Sequence, residues 1–164
     1  MEWKNIEGLK LLLNVPSIDV HIVDNLGSSS LHEACQRDNI EGLKLLLDVP
    51  TIDVNILTKY DWSAVHRTCT GHSIEGLKLL LCNPSLTALT LNQKDKQYGD
   101  TPVMFAVRWK KLEHLEVLAA DPRVDLDTTD KEGKSLEEVA GLAGWVFSDF
   151  FAVIFEVAYE DYNW

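Results

Sequence analysis

Cysteine is scarce in this chain: Cys35, Cys69 and Cys82 are the three among 164 residues. An odd, sparse set builds no disulfide framework and points to reduced thiols in a cytoplasmic or nuclear setting. Cations are also few, with 15 Lys and Arg against 26 Asp and Glu and a formal net charge of −11. An acidic surface repels phosphate backbones and anionic lipid, so nucleic acid and membrane surfaces are poor partners. A partner with a basic patch would be steered in faster, which raises the on-rate more than the affinity. No apolar run reaches the roughly 18 residues of a spanning helix, and Met1 to Lys10 lacks the basic-then-apolar order of a secretory signal.

Signs of chemistry are equally thin. No glycine-rich phosphate loop is present. Cys69 and His72 stand close in sequence, but two ligands do not make a zinc site. Glu137-Glu138 and the Asp125/Asp127 pair read as solvated surface, and nothing groups a nucleophile, a base and an oxyanion donor. The expectation is a protein that is not an enzyme and carries no cofactor or metal.

What the chain has in quantity is repetition. The nine residues from Asn5 to Leu13 recur letter for letter as Asn39 to Leu47, and with one change as Ser73 to Leu81. Ile6, Ile40 and Ile74 mark a period of 34 residues. A weaker copy, Leu112 to Leu118, follows after 38, and the extra residues fall in the polar stretch Leu91 to Gln97, where an insertion is expected on the surface. Such periods signal stacked repeats. Within a copy, Ile40, Leu43, Leu46 and Leu47 share one helical stripe. Pro16, Pro50, Pro84 and Pro122 follow the copies and stop the helices.

A shorter helix precedes each long one after the first. Leu31 to Cys35 and Val65 to Cys69 align at the same offset of 34, and Val103 to Val107 takes the same place in the next unit. Ser29-Ser30, Ser63-Ala64 and Thr101-Pro102 stand just before them, where Ser and Thr cap a helix and Pro fits its first turn. The unit reads as turn, short helix, long helix, extended loop.

At these residues the chain resembles the ankyrin-repeat family. Asp24 to Ala34 keeps the family's Gly27, Leu31, His32 and Ala34, Gly99-Asp-Thr-Pro102 matches a later turn and cap, and Asp130 to Gly133 matches another turn. Asp61 replaces a turn glycine, Met104 the motif histidine, and Thr68 a small alanine, so the second unit is expected to pack less tightly. The resemblance implies an all-α solenoid of stacked helix-turn-helix units. We expect a half repeat over 1–22, repeats over 23–56, 57–93 and 94–127, and a C-terminal repeat and cap over 128–164. His32 and His66 are expected to tie turns together, with Cys35 and Cys69 facing the core.

The C-terminal text departs from the pattern. Residues 146–160 read as an apolar capping helix with Phe147, Phe150, Phe151 and Ile154 inward, or as a strand with alternate apolar residues on one face. The helix is preferred because an ankyrin array needs that element to close its last unit. Its excess of apolar residues also raises a second function, homo-oligomerisation through Phe147, Phe151, Phe155 and Tyr159.

The resemblance further implies a function. Ankyrin proteins bind other proteins through a concave face of turn tips and short helices. Carried over by motif offset, the tips are Asn25, Leu26 and Ser28, then Lys59, Tyr60 and Trp62, then Gln97, Tyr98 and Asp100. The short helices offer Glu33, Gln36 and Arg37, then Arg67 and Thr70, then Phe105, Arg108 and Trp109. Tyr60, Trp62, Arg67, Tyr98, Phe105, Arg108 and Trp109 are the expected partner-binding residues, because Trp, Tyr and Arg dominate interface hot spots. The near-identity of three long helices beside this aromatic face also fits a natural scaffold re-engineered to bind a chosen target.

Overall fold

The computed structural model describes residues 6–146, 150 and 152–154. Those residues form an all-helical array without a named strand; isolated bridges join Val23 to Ser29 and Thr129 to Ser135. In chain order the helices are α1 (Ile6–Leu13), α2 (Ser30–Gln36), α3 (Ile40–Leu47), α4 (Ala64–Gly71), α5 (Ile74–Leu81), α6 (Ala88–Leu91), α7 (Pro102–Arg108), α8 (Leu112–Ala119) and α9 (Leu136–Leu142).

Two layers follow from that order. The short helices α2, α4, α7 and α9 stack in one row, and the long helices α1, α3, α5 and α8 stack in the other. Between the rows lies one continuous core, including Leu31, Leu43, Val65, Leu77, Val103, Leu115 and Val139. The i, i+3 stripe of α3, α5 and α8 turns inward against the short helices.

Local chemistry sets the helix starts. Ser63 precedes α4, its hydroxyl accepts from the His66 amide at 3.4 Å, and the His66 ring returns an acceptor to the Ser63 amide at 3.0 Å. Thr101 precedes α7, with Pro102 in the first turn. On α3 the Asn39 side chain accepts from Gly42 N at 3.2 Å. A Cβ at Gly42 would stand 2.5 Å from the Asn39 amide, and one at Gly76 would stand 2.4 Å from Ser73 Oγ. The glycine of the repeated octapeptide therefore makes room for its own cap.

Turns need left-handed backbone at two places per unit. Gly27, Gly99 and Gly133 hold it at the tips, with φ of 77°, 72° and 78°, and Asp61 does so at 60°. Asp tolerates that region better than most residues. Between short and long helix the same conformation falls on Asp38, His72 and Lys110. His72 is therefore a helix-ending residue, and nothing in its placement makes it a ligand.

Two local readings change. Leu91, expected in a polar surface stretch, is buried, because residues 88–91 form an extra helical turn capped by Thr87. Thr68 does not loosen its unit: it is fully buried, and its hydroxyl donates to the Val65 carbonyl at 2.7 Å. Met104 fills the histidine position as a buried apolar side chain. At the C-terminal end, positions 150 and 152–154 are helical, Phe150 and Val153 are buried, and Trp145 donates to the Val107 carbonyl at 2.7 Å. Phe147, Phe151, Phe155 and Tyr159, with most of the expected apolar cap, lie outside the described residues.

Candidate partner-binding face

The tips are built alike. A side chain at the turn's first position accepts amide hydrogens from the residues that follow. Asp24 takes Leu26 and Ser28, both at 2.8 Å. Thr58 takes Trp62 at 3.1 Å. Asp95 takes Tyr98 and Asp100 at 3.0 and 2.9 Å, and Asp130 takes Glu132 and Lys134 at 2.8 and 3.0 Å. These amide bonds hold the Asp24 carboxyl below the usual carboxylate range.

Neighbouring tips are then stitched together. Lys59 N donates to Leu26 O at 2.9 Å, Lys96 N to Tyr60 O at 3.0 Å, and Lys131 N to Tyr98 O at 2.9 Å. The motif histidines add a second seam. In His32 and His66, Nδ1 accepts from the Ser29 and Ser63 amides, so Nε2 carries the proton. Those nitrogens donate to Trp62 O at 3.1 Å and Asp100 O at 3.2 Å, one unit onward. Burial pushes His66 down to about 4 and lowers His32 in the same direction. His114, unforeseen in this role, ties α8 to the end of α4 through Thr68 O at 3.1 Å and is lowered by burial too.

The seven expected contact residues separate on this frame. Tyr60, Tyr98 and Trp109 are exposed, at 53%, 44% and 58%. Phe105 is not: it is 2% exposed, because its ring fills the space between Trp62 and His66, edge-on to each at 5.1 Å. Trp62 is half-buried, with its indole N–H directed to Asp95 at 3.4 Å. It is part of the seam between units, and one face of its ring lies under Arg67 at 4.8 Å. Asp100 and Ser28, read as tip positions, are buried.

The two arginines differ in company. Arg108 meets Asp100 through two nitrogens, one of them at 2.8 Å, and reaches Asp130 at 3.4 Å. The Asp100 hydrogen bonds raise its pKa further. Its guanidinium lies 5.4 Å from the centre of the Tyr98 ring. Among the described residues the acceptors of Arg67 are neutral, Gln36 Oε1 at 2.8 Å and Ser28 Oγ at 3.1 Å. Its Nε is buried without a partner among the described residues, and partial burial lowers its pKa.

One feature of the face escaped sequence reading. Lys59, Lys96 and Lys131 occupy the same turn position, one residue after Thr58, Asp95 and Asp130. The Lys96 ammonium crosses to Lys59 O at 2.9 Å, and the Lys131 ammonium crosses to Lys96 O. The signal was there, a lysine after three of the four turn-opening residues, with Asn25 after Asp24, but it is invisible until the turns are superposed.

Cys35 and Cys69 are buried, and burial pushes both thiols up to about 12, far from a reactive thiolate. Among the described residues no three His, Cys, Asp or Glu side chains are grouped to hold a metal ion, and no helix is long and apolar enough to cross a membrane.

The family model for ankyrin repeats in three copies matches residues 1–95, more than half of the chain. No curated protein gives a significant match.

Proposed function

The chain belongs to the ankyrin-repeat family, and from that premise we propose that it binds another protein through its turn tips and short helices, with Tyr60, Tyr98 and Trp109 as anchors. Ankyrin repeats serve generally in protein–protein interaction. The observation that carries the placement is the exposure of three large aromatic rings on adjoining units. Trp109 also borders a groove of about 320 Å³ with Thr70, His72 and Lys111, which offers room for a partner side chain.

Magnitudes decide how far the rings go alone. Covering about 100 Å² on each of three rings is worth on the order of 7 kcal/mol gross. Association itself costs about 4–15 kcal/mol, so polar contacts around the rings must supply the surplus. The frame that presents the rings is held by tip-to-tip hydrogen bonds, so little order has to be imposed on binding.

The test is affinity capture with the intact chain beside a Tyr60→Ala/Trp109→Ala variant of equal melting temperature. Both side chains are exposed, so the variant should keep its fold. A protein retained by the intact chain and lost by the variant supports the reading. Equal capture by both would move the interface off this face.

A further inference from the structure

Resting on that reading of the face, we propose that the partner presents an acidic segment, which lies along the tips with its carboxylates on Lys59, Arg67, Lys96 and Lys131. The molecule as a whole is anionic, yet three of its tips each carry an exposed lysine. Lys59, Lys96 and Lys131 are exposed. Of the carboxylates in the same turns, Asp95, Asp100 and Asp130 are buried and committed to amides and to Arg108, Asp61 pairs with Lys96, and Glu132 pairs with Lys134. At Lys59 and Lys131 a partner arriving at the tips meets ammonium groups that no carboxylate pairs with among the described residues.

Three of these cations lack a carboxylate partner among the described residues; Lys131 is one, its ammonium resting on the Lys96 and Gln97 carbonyls, whereas Lys96 pairs with Asp61. The Lys59 ammonium makes no hydrogen bond among the described residues, although its carbonyl accepts from Lys96. Arg67 is held in place by two neutral acceptors and by the Trp62 ring, and it has no ion pair among the described residues. A guanidinium positioned in this way gains more from an incoming carboxylate than Arg108, whose fork is already filled. Tyr60 and Tyr98 stand between the lysines and offer hydroxyls and ring faces to the same segment.

The sign of the whole molecule does not decide the contact. At about 0.15 M salt the screening length is roughly 8 Å, so charges on the far helices are damped at the tips while the lysine row is in direct contact. An acidic peptide fits this row better than a nucleic acid. The row spans three tips only, and a duplex extending beyond it would meet the anionic remainder of the molecule.

The experiment uses the full chain, labelled with ¹⁵N and titrated at about 0.15 M salt with a short oligoglutamate, a short oligolysine and a short DNA duplex. Oligoglutamate is expected to shift the resonances of Lys59, Tyr60, Lys96, Tyr98 and Lys131. Lys59→Glu/Lys131→Glu should weaken it about tenfold or more, and Arg67→Gln several-fold. The matched control is Lys44→Glu/Lys78→Glu, two exposed lysines on the long helices, which changes net charge equally and should leave binding within about twofold. Equal weakening by the control pair, oligolysine on the same tips, or tighter binding of the duplex there would each overturn the acidic assignment. Should oligoglutamate leave the tips unmoved while partner capture still needs Tyr60 and Trp109, the acidic segment falls and the binding face stands. Loss of both dependences would remove the face as well.

Discussion

The same eight residues, Ile-Glu-Gly-Leu-Lys-Leu-Leu-Leu, form α1, α3 and α5, and their surroundings differ. In α3 the side chains of Leu43 and Leu46 are buried, as are Leu77 and Leu80 in α5. In α1 no residue is buried, and Leu11 and Leu12 are 70% and 54% exposed. All three copies are helical, and α1 packs against α3 with Leu13 on the core. The difference lies in the short helices α2 and α4, which cover α3 and α5, while no described helix occupies that place over α1. A groove of about 220 Å³ lies there instead, lined by Leu9, Ala34, Gly42 and Leu46. In a solenoid, stability belongs to the contact between neighbours and not to the repeat's own letters.

The largest expected effect breaks this comparison directly. Leu77→Ala empties a fully buried site and should cost about 3–5 kcal/mol in urea unfolding. Leu9→Ala, the same letter in the first copy, should cost less than about 1 kcal/mol. Equal losses would contradict the neighbour account.

Next comes pH, which separates the units that carry the motif histidine from the one that carries Met104. His66 is buried neutral and titrates near 4 in the folded chain, against about 6.5 when unfolded. Its contribution is fully present above about pH 6.5 and is lost as pH falls towards 4, on the order of 3 kcal/mol. His32 and His114 act in the same direction. Urea midpoints between pH 7 and 4.5 should fall steeply in the intact chain and less so in His66→Gln. A flat profile in the intact chain would contradict the buried neutral ring.

The two tryptophans sharpen the contrast between seam and surface. Trp62→Ala should lose about 2 kcal/mol, since its ring packs on Phe105 and His66. Trp109→Ala should stay within about 0.5 kcal/mol and act on binding alone. Thermal melts of both variants decide, and the reverse order would exchange their roles. The smallest effects concern the tips. Gly99→Ala should cost about 1–2 kcal/mol, because its φ is 72° and a Cβ would stand 2.8 Å from Lys131 N. Asp61→Gly, which relieves the same backbone at the next tip, should gain a few tenths of a kcal/mol by the same melts.

Much of this was legible before any coordinates. The 34-residue period, the Ser and Thr caps and the proline stops lie in the text, because local backbone chemistry sets them. The histidine seam was legible too, since it follows a motif. Side-chain direction was not. The offset that puts Phe105 on a short helix does not say whether the ring turns outward, and here the neighbouring Trp62 and His66 draw it in. Trp62 is half-buried for a like reason: Asp95, 33 residues on, takes its indole proton. Leu91 turns inward because an inserted segment coiled into an extra turn, which depends on packing rather than on period. The lysine row was hidden because its members are spread over three turns and become neighbours only when those turns stack.

The most direct test of the binding face is hydrogen exchange on the intact chain, free and with its captured partner. Protection on binding should concentrate at the tips, residues 58–62 and 94–100, and at the end of α7 beside Trp109. Protection confined to the long helices α3, α5 and α8, with the tips unchanged, would contradict it.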